Sequence, residues 1–184
     1  VLQGAGRLTE ADGRRTVRIG DETHPASHLV LATGSYPRSL PGVEVDGVKI
    51  LSSEHALRLD RLPASAIVLG GGVIGVEFAS IWRSFGVDVT VLEALPRLVS
   101  GEDPSISTAL ERAFARRKIK VLKGAALAAC HANESGVRAE LADGQVLEAE
   151  LLLVAVGRGP LTADLGYQEA GIDLDDGFVR VSER

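Results

Sequence analysis

The sequence is poor in cysteine, methionine and aromatic residues. Its single cysteine, Cys130, excludes an internal disulfide framework and indicates a reducing compartment, so we expect a cytoplasmic protein. Aromatic residues make up 4% of the chain, whereas glycine occurs 21 times and methionine not at all. Many glycines among many Val, Leu and Ala residues favour an α/β protein with tight strand-to-helix turns over an aromatic-rich β-sandwich.

Long apolar runs and a basic excess are also missing. The longest apolar stretches, such as residues 151–157, fall well short of the roughly 20 residues that cross a bilayer, which argues against a membrane partner. The chain carries 20 basic and 25 acidic residues, for a formal net charge of −5, so we expect no nucleic-acid partner. No basic stretch followed by an apolar one opens the sequence, which predicts no export signal.

What is present is the composition of a globular protein. Hydrophobic residues make up 45% of the chain and charged residues 24%, enough for a buried core. At about 150 residues per domain, 184 residues predict one domain, or one and part of another. The chain starts at Val1, inside a stretch that resembles a strand, which indicates a fragment.

The order of apolar runs predicts a parallel sheet with crossover helices. The predicted elements are a buried strand at 66–69, a helix ending at Gly86, a strand at 87–92, a helix at 103–117 and a strand at 119–122. After residue 126 the period changes to two, which predicts an antiparallel meander at 127–131, 137–141 and 146–149, then a buried strand at 151–156. The expected architecture is a Rossmann-like, three-layer α/β domain.

The two longer predicted helices are amphipathic. In the first, apolar residues recur at helical spacing at Val76, Ala79, Ile81, Trp82 and Phe85. In the second, the expected inner face consists of Ile106, Leu110, Ala113 and Phe114.

The first third of the chain predicts short strands separated by turns. Strands are expected at 1–8 and 16–19 with a turn at 11–13 between them, and a buried strand at 29–32. A short helix is expected at 53–59, with Ser52 or Ser53 as its N-cap.

The most specific pattern is Gly70-x-Gly72-x-x-Gly75, between a buried strand and an amphipathic helix. Gly70 permits the tight turn, Gly72 allows a pyrophosphate to approach the backbone, and Gly75 allows close packing of helix and strand. The N–H groups and positive dipole end of the helix would then meet the phosphates. The alternative is a turn without a ligand.

A carboxylate follows the next predicted strand. Glu93 lies 23 residues after Gly70, near the roughly 20 expected for the acid that binds the adenosine ribose of NAD. Arg97 is close enough in sequence to suggest NADP instead, and a solvated strand end is the simplest alternative for Glu93. Thr33-Gly34-Ser35 also follows a predicted buried strand, although by itself the triplet is typical of an ordinary turn.

The remaining candidates for chemistry are isolated residues. Cys130 lies in the predicted meander without a partner and is interpreted as an inert structural thiol. The histidines have no metal-ligand spacing, so no metal site is predicted; they are His24, His28, His55 and His131.

Three stretches together resemble the flavin-dependent pyridine nucleotide–disulfide oxidoreductases, and within that family its dihydrolipoamide dehydrogenase branch. They are LVLATGSYPRSLPG (29–42), IVLGGGVIGVEFASIWRSFGVDVTVLEALPRLV (67–99) and LLLVAVGRGP (151–160), in this order. The resemblance covers nearly the whole chain. It implies that residues 1–52 are the late part of an FAD-binding domain, 53–156 an NAD-binding domain, and 157–184 the return to the FAD-binding domain.

The resemblance also implies site residues. The NAD contacts would be Gly70, Gly71, Gly72, Val73, Ile74, Gly75, Val76, Glu77, Glu93, Leu127 and Gly157. Among these, Glu77 would face the flavin, Leu127 the adenine and Gly157 the nicotinamide. The FAD-side residues would be Thr33, Gly34, Ser35 and Arg158. The family's redox cysteine pair and its acid–base histidine have no counterpart here, so no catalytic residue is expected in this chain.

The implied parent enzyme oxidises protein-bound dihydrolipoamide with NAD, through FAD and a redox disulfide. It would be a homodimer whose partners are the lipoyl domains of a 2-oxo acid dehydrogenase complex. The alternatives are a related oxidoreductase, such as an NADH oxidase, mercuric reductase or thiol-disulfide reductase, and a non-catalytic NAD-sensing module.

Overall fold

The computed structural model of the protein describes residues 1–11 and 13–182. The helices are α1 (Ser53–Ala56), α2 (Val73–Ser84) and α3 (Pro104–Arg116). The strands are β1 (Gly6–Ala11), β2 (Arg14–Ile19), β3 (Glu22–Pro25), β4 (Ser35–Pro37), β5 (Ile50–Leu51), β6 (Ser65–Leu69), β7 (Asp88–Glu93), β8 (Lys120–Lys123), β9 (Leu127–Asn133), β10 (Gly136–Leu141), β11 (Val146–Ala149), β12 (Leu151–Val154), β13 (Arg158–Pro160), β14 (Leu174–Asp175) and β15 (Phe178–Val179). Part of the turn predicted at 11–13, Asp12, lies outside the described residues.

The chain divides into two compact units. One, which we call the central unit, is Pro37–Gly157; the other, the flanking unit, combines Val1–Tyr36 with Arg158–Arg184. Residues 37–52 belong to the central unit because β5 pairs with β12 in its sheet. These limits differ from the predicted ones at 52/53 and 156/157, and the assignment of each segment to a cofactor domain stays a prediction.

The central unit contains the predicted parallel sheet. Its strand order is β5-β12-β6-β7-β8, and all neighbouring strands run parallel. In the register, Leu69 at the end of β6 is opposite Leu92 of β7 and Val154 of β12. The carboxyl ends of three adjacent strands therefore meet at one edge of the sheet.

Two apolar layers enclose this sheet, which confirms the expected three-layer α/β architecture. Alternate residues of each strand face opposite sides. The helix side is filled by residues such as Val68, Val91, Leu153, Trp82 and Phe114. The meander side is filled by residues such as Ile67, Leu92, Leu152, Val137 and Ala139. The meander has the order β11-β10-β9, with a bulge between Glu140 and Leu141.

Helix α2 begins at its N-cap Gly72 and ends before Gly86, which has a φ of +91°. Only part of its predicted apolar face is buried. Val76, Ala79 and Trp82 pack in the core, whereas Ile81 is exposed and Phe85 is 66% exposed. Ile81 precedes Trp82 by one residue, so the two side chains point about 100° apart and cannot share one face.

Helix α3 begins after Asp103, whose carboxylate accepts a hydrogen bond from the Ser105 N–H at 2.7 Å. The prediction of Ile106 as an inner residue is wrong, because its side chain is exposed. Ser107 is buried instead. Near its start the helix packs against the backbone carbonyl of Leu98. The Ser107 hydroxyl donates a hydrogen bond to this carbonyl, which an isoleucine side chain cannot do.

The flanking unit consists of short antiparallel pieces. One sheet has the order β1-β2-β3, β14 pairs with β15, and β4 pairs with β13. The first strand starts at Gly6, later than predicted, because its ladder with β2 begins there, opposite Ile19. The N–H of Leu8 also donates to the carbonyl of Leu165 at 2.7 Å, joining β1 to the last segment.

The prediction of a buried strand at 29–32 is wrong. This run forms no strand, and Val30 is 88% exposed. A strand needs neighbours on its hydrogen-bonding edges, and none of the sheets among the described residues includes this segment. Within the same described part of the chain, no helix is long and apolar enough to cross a membrane.

Candidate functional site

The glycine-rich loop lies at the carboxyl edge of the sheet. The N–H of Gly70 donates to the carbonyl of Leu92 at 2.8 Å, and the N–H of Ala155 donates to the carbonyl of Leu69 at 2.8 Å. Gly70 has a φ of +109°, and a Cβ there would lie 2.4 Å from the Ala155 carbonyl oxygen. Only glycine therefore fits at position 70, between the end of β7 and the residues that follow β12.

The other two motif glycines have different surroundings. A Cβ on Gly75 would lie 1.9 Å from the carbonyl oxygen of Gly70, so α2 packs closely on the turn before it. A Cβ on Gly72 would meet no atom within 4 Å. Gly75 is thus required by packing inside the chain, whereas the space beside Gly72 is open.

Helix α2 presents an N-terminus that fits an anion. Its N-cap is Gly72, which has no side chain to accept hydrogen bonds from the first-turn N–H groups, and no side-chain cap is formed. Val73 is exposed, and the first turn contains no acidic residue. The positive end of the helix dipole and its first N–H groups therefore face the open space beside Gly72.

Glu93 is already engaged within the protein. Its Oε2 accepts a hydrogen bond from the Gly71 N–H at 2.6 Å, and its Oε1 accepts one from the Leu95 N–H at 2.7 Å. Each carboxylate oxygen can accept a further bond. Glu93 is half-buried and connects the end of β7 directly to the glycine-rich loop, so it is more than a solvated strand end.

The segment between β7 and α3, residues 94–103, closes over the glycine-rich loop; we call it the β7–α3 loop. The N–H of Val99 donates to the carbonyl of Gly71 at 2.8 Å. Arg97 lies in this loop, and its guanidinium donates to the Glu102 carbonyl at 2.7 Å and to Ser107 Oγ at 2.9 Å. These hydrogen bonds hold the Arg97 guanidinium to the loop and to α3, and its interpretation as a contact for a 2′-phosphate stays a prediction.

The other proposed NAD contacts belong to the same unit. The N–H of Ala125 donates to the carbonyl of Glu93 at 3.0 Å, which holds the chain just before Leu127 against the end of β7. Leu127 opens β9 and is half-buried. Gly157 follows β12 with a φ of +112°, and Glu77 is exposed on α2.

The FAD-side candidates lie in the flanking unit. Arg158 donates from Nε to Ser35 Oγ at 2.7 Å and from Nη2 to the Ser35 carbonyl at 2.6 Å. Gly34 has a φ of +81°, and its carbonyl accepts from the Leu161 N–H at 3.1 Å. Thr33 Oγ1 lies 3.2 Å from the hydroxyl of Tyr167. The structure thus brings the triplet and Arg158 together, but on an exposed segment.

Two perturbed groups have structural causes. Burial, with a smaller effect of Asp46, raises the pKa of the Cys130 thiol, which keeps it protonated and unreactive. The Ala64 N–H and the Arg61 guanidinium hold the pKa of Glu150 below its usual range. Both interactions of Glu150 tie β12 to the segment before β6, at the amino edge of the sheet. Across residues 1–11 and 13–182, no group of three or more His, Cys, Asp or Glu side chains could hold a metal ion.

Sequence patterns did not reveal the contribution of the β7–α3 loop. Leu98, Val99 and Ser107 have neither the residue types nor the spacing of a known motif. The only signal is the position of Ser107 on the same helical face as Leu110 and Phe114, which by itself is uninformative.

The sheet order, the glycine-rich loop and the acid at the end of β7 are typical of dinucleotide-binding α/β domains. Over residues 1–184 the sequence matches the family described as pyridine nucleotide-disulphide oxidoreductase. The chain belongs to this family, which confirms the resemblance found in the three sequence stretches.

Two relatives that match the chain individually are named dihydrolipoyl dehydrogenases. The chain is 42% identical over 189 residues to a dihydrolipoyl dehydrogenase from Chlorobaculum parvum, covering 100% of this chain and 40% of the relative. It is 40% identical to dihydrolipoyl dehydrogenase 3 from Pseudomonas aeruginosa, covering 95% of this chain and 39% of the relative. The chain thus spans about 40% of the length of these relatives.

Solved structures show the same fold. The crystal structure of LpdA from Mycobacterium tuberculosis matches with a TM-score of 0.83 and 33% identity, covering 95% of this chain and 40% of that one. The HOCl-induced flavoprotein disulfide reductase RclA from Escherichia coli matches with a TM-score of 0.79 and 28% identity, covering 91% of this chain and 39% of that one.

Proposed function

We propose that the central unit binds NAD(H) along the carboxyl edge of its sheet. The observation that carries this proposal is the open space beside Gly72, next to an uncapped helix start and an acid held at the same edge. N–H groups of residues 73–75 would donate to the pyrophosphate oxygens. The free lone pairs of Glu93 would accept hydrogen bonds from the ribose hydroxyls.

The remaining contacts in this proposal extend from that centre. The glycine-rich loop and the start of α2, Gly70 to Glu77, line the pyrophosphate. Leu127 supplies an apolar contact for the adenine, Gly157 lets the nicotinamide approach the backbone, and Glu77 faces the flavin. The bound NAD supplies the hydride chemistry, and these residues bind and orient it.

For the flanking segments we propose contacts with FAD through Thr33, Gly34, Ser35 and Arg158. The hydrogen bonds from Arg158 to Ser35 hold a cationic side chain beside the Ser35 hydroxyl and backbone carbonyl, which suits the polar groups of a flavin nucleotide. Residues 1–52 and 157–184 would then be parts of an FAD-binding domain, with the NAD-binding domain at 53–156.

The whole protein, in this proposal, is a cytoplasmic, homodimeric dihydrolipoyl dehydrogenase. It would oxidise lipoyl domains of a 2-oxo acid dehydrogenase complex through FAD and a redox disulfide, with NAD as acceptor. The relatives that are 42% and 40% identical, both named dihydrolipoyl dehydrogenases, support this substrate. We assign no catalytic residue to the present chain.

A second candidate is a flavoprotein disulfide reductase with another substrate, which the similarity to RclA favours. Activity assays of the whole protein distinguish the two enzymes: one assay uses dihydrolipoamide with NAD, and the other uses disulfide substrates with NADH. Flavin absorbance in the whole protein distinguishes both from an NAD-sensing module, which would contain no FAD.

The nucleotide site is tested by titrating the chain with NADH and NADPH. We expect NADH to bind more than about tenfold more tightly, because Glu93 would meet a 2′-phosphate with like charge. Gly72→Ala should weaken binding and Gly72→Val should abolish it, because side chains there occupy the space for the pyrophosphate.

Gly72→Ala should keep the unfolding free energy of the original chain within about 1 kcal/mol, since a Cβ at this position meets no atom and only the N-cap preference of glycine is lost. Unchanged NADH affinity in Gly72→Val would show that the loop is a turn without a ligand. Equal affinity for NADH and NADPH in the original chain would refute the ribose assignment to Glu93.

A further inference from the structure

Gly71, between the motif glycines, is enclosed by residues from outside the motif. Its N–H donates to Glu93 at 2.6 Å, and its carbonyl accepts the N–H of Val99 at 2.8 Å. A Cβ on Gly71 would lie 2.5 Å from Leu98 Cδ2. Both backbone polar groups of Gly71 are therefore occupied, and the β7–α3 loop contacts the glycine-rich loop through Leu98 and Val99.

The residue that makes this contact is strained. Val99 has a φ of +42°, a conformation that a β-branched residue rarely adopts, and its side chain is only 7% exposed. Such a backbone persists only where the surrounding structure holds it. The N–H of this residue donates to the Gly71 carbonyl, so the contacts that hold Val99 in place also position the donor for Gly71.

Ser107 is the centre of that support. This residue lies in α3 and is 2% exposed, and its Oγ donates to the Leu98 carbonyl at 2.6 Å. The same Oγ accepts from Arg97 Nη1 at 2.9 Å. Arg97 Nη1 also donates to the Glu102 carbonyl, and the Glu102 N–H donates to the Val99 carbonyl at 2.8 Å. Val99 is thereby held from both sides.

We propose that Ser107 and Arg97 are positioning residues for nucleotide binding. They hold the β7–α3 loop so that Val99 fixes Gly71, and the glycine-rich loop keeps its binding conformation before the nucleotide arrives. Neither residue touches the nucleotide. This inference rests on the proposed NAD(H) site, and it adds a specific cause for its affinity, because a preformed loop loses less conformational entropy on binding.

The first test is Ser107→Ala in the full chain, titrated with NADH by fluorescence and with urea by circular dichroism. Removing the hydroxyl leaves the Leu98 carbonyl without its donor, so we expect the NADH dissociation constant of the folded chain to rise about tenfold. Ser107→Thr keeps the hydroxyl and should restore affinity to within about threefold of the original.

Thr108→Ala is the matched control. Thr108 is the next residue of α3, is exposed, and donates from Oγ1 to the Pro104 carbonyl at 3.0 Å, away from the β7–α3 loop. Its loss should leave the NADH dissociation constant unchanged. A purely structural role of Ser107 would lower the urea midpoint without changing the dissociation constant of the folded chain.

The second test is Arg97→Met, which keeps the aliphatic stem at a half-buried position and so should fold even if Ser107→Ala does not. We expect NADH and NADPH to weaken by the same factor, roughly fivefold. A selective loss of NADPH would instead mean that Arg97 contacts a 2′-phosphate, and would overturn the proposal.

Other outcomes are equally decisive. If Ser107→Ala or Arg97→Met binds NADH as tightly as the original chain, the positioning role is wrong while the NAD(H) site stands. If the original chain does not bind NADH, the proposed function itself fails.

Discussion

Two stretches of this chain have the same local pattern and different structures. Residues 66–69 and residues 29–32 are both short apolar runs followed by a glycine-containing turn. The first becomes β6, buried between β12 and β7, whereas the second forms no strand and is largely exposed. Local composition does not make a buried strand, because its backbone groups must find partners on neighbouring strands.

The same contrast separates the two glycine turns. Gly70 and Gly75 contact backbone atoms so closely that no side chain fits. For Gly34 the nearest atom to a Cβ would be Leu161 Cδ1 at 3.9 Å. Close packing requires glycine at positions 70 and 75, whereas at position 34 glycine is favoured only by the backbone φ of +81°.

The largest expected effect is that of a charge placed in each apolar run. Val68→Asp should destabilise the chain by more than about 4 kcal/mol, because the carboxylate would be buried without a partner between the sheet and the helices. Val30→Asp should cost less than about 0.5 kcal/mol, since the side chain is exposed. Urea unfolding followed by circular dichroism measures both. Similar losses would mean that residues 29–32 are buried in solution.

A smaller difference is expected between two glycine substitutions. Gly75→Ala places a Cβ against the Gly70 carbonyl and should cost about 3 kcal/mol through the shift it forces between α2 and β6. Gly34→Ala should cost about 1 kcal/mol, the price of a left-handed backbone with no clash. Calorimetric melting temperatures of the two variants provide the comparison. If Gly34→Ala lowers the melting temperature as much as Gly75→Ala does, the expected difference between the two turns is wrong.

The smallest expected change in stability concerns the turn before β5, which brings this strand into the sheet. Among the described residues, no such turn brings residues 29–32 into a sheet. Asp46 Oδ1 accepts from the N–H groups of Val48, Lys49 and Ile50 at 2.7–2.9 Å. Burial raises the pKa of Asp46, but these hydrogen bonds outweigh it and hold the pKa below its ordinary value of 3.8.

Because this pKa is lowered on folding, the stability that Asp46 contributes is present above about pH 4 and is lost as the pH falls through the folded value. We expect Asp46→Asn to cost only about 1 kcal/mol of unfolding free energy at neutral pH, because the carboxylate is exposed and screened. The cost should be smaller in acid, because the carboxylate of the original chain is then protonated. The urea unfolding midpoints of the original chain and of Asp46→Asn, at about pH 7 and about pH 3, measure this change in cost. An Asp46→Asn deficit that grows in acid would contradict the assignment.

Much of the central unit could be predicted from periodicity. The alternation in β6, where Ile67 and Val68 face different layers, and the spacing of the glycine motif both express local rules: strands alternate, and a turn into a helix needs glycine. Predictions failed where the partner of a residue is distant in sequence. Ile106 was expected inside, but the carbonyl of Leu98 approaches that end of α3 and selects Ser107.

The sequence by itself therefore determined the order of strands and helices from β6 to β12, the glycine-rich turn and the acid that ends β7, because each depends on residues close along the chain. Tertiary structure decided which apolar run became a buried strand, which face of each helix turned inward, and how Val99 came to hold Gly71. Those outcomes depend on hydrogen-bond partners and close contacts that only the folded chain brings together.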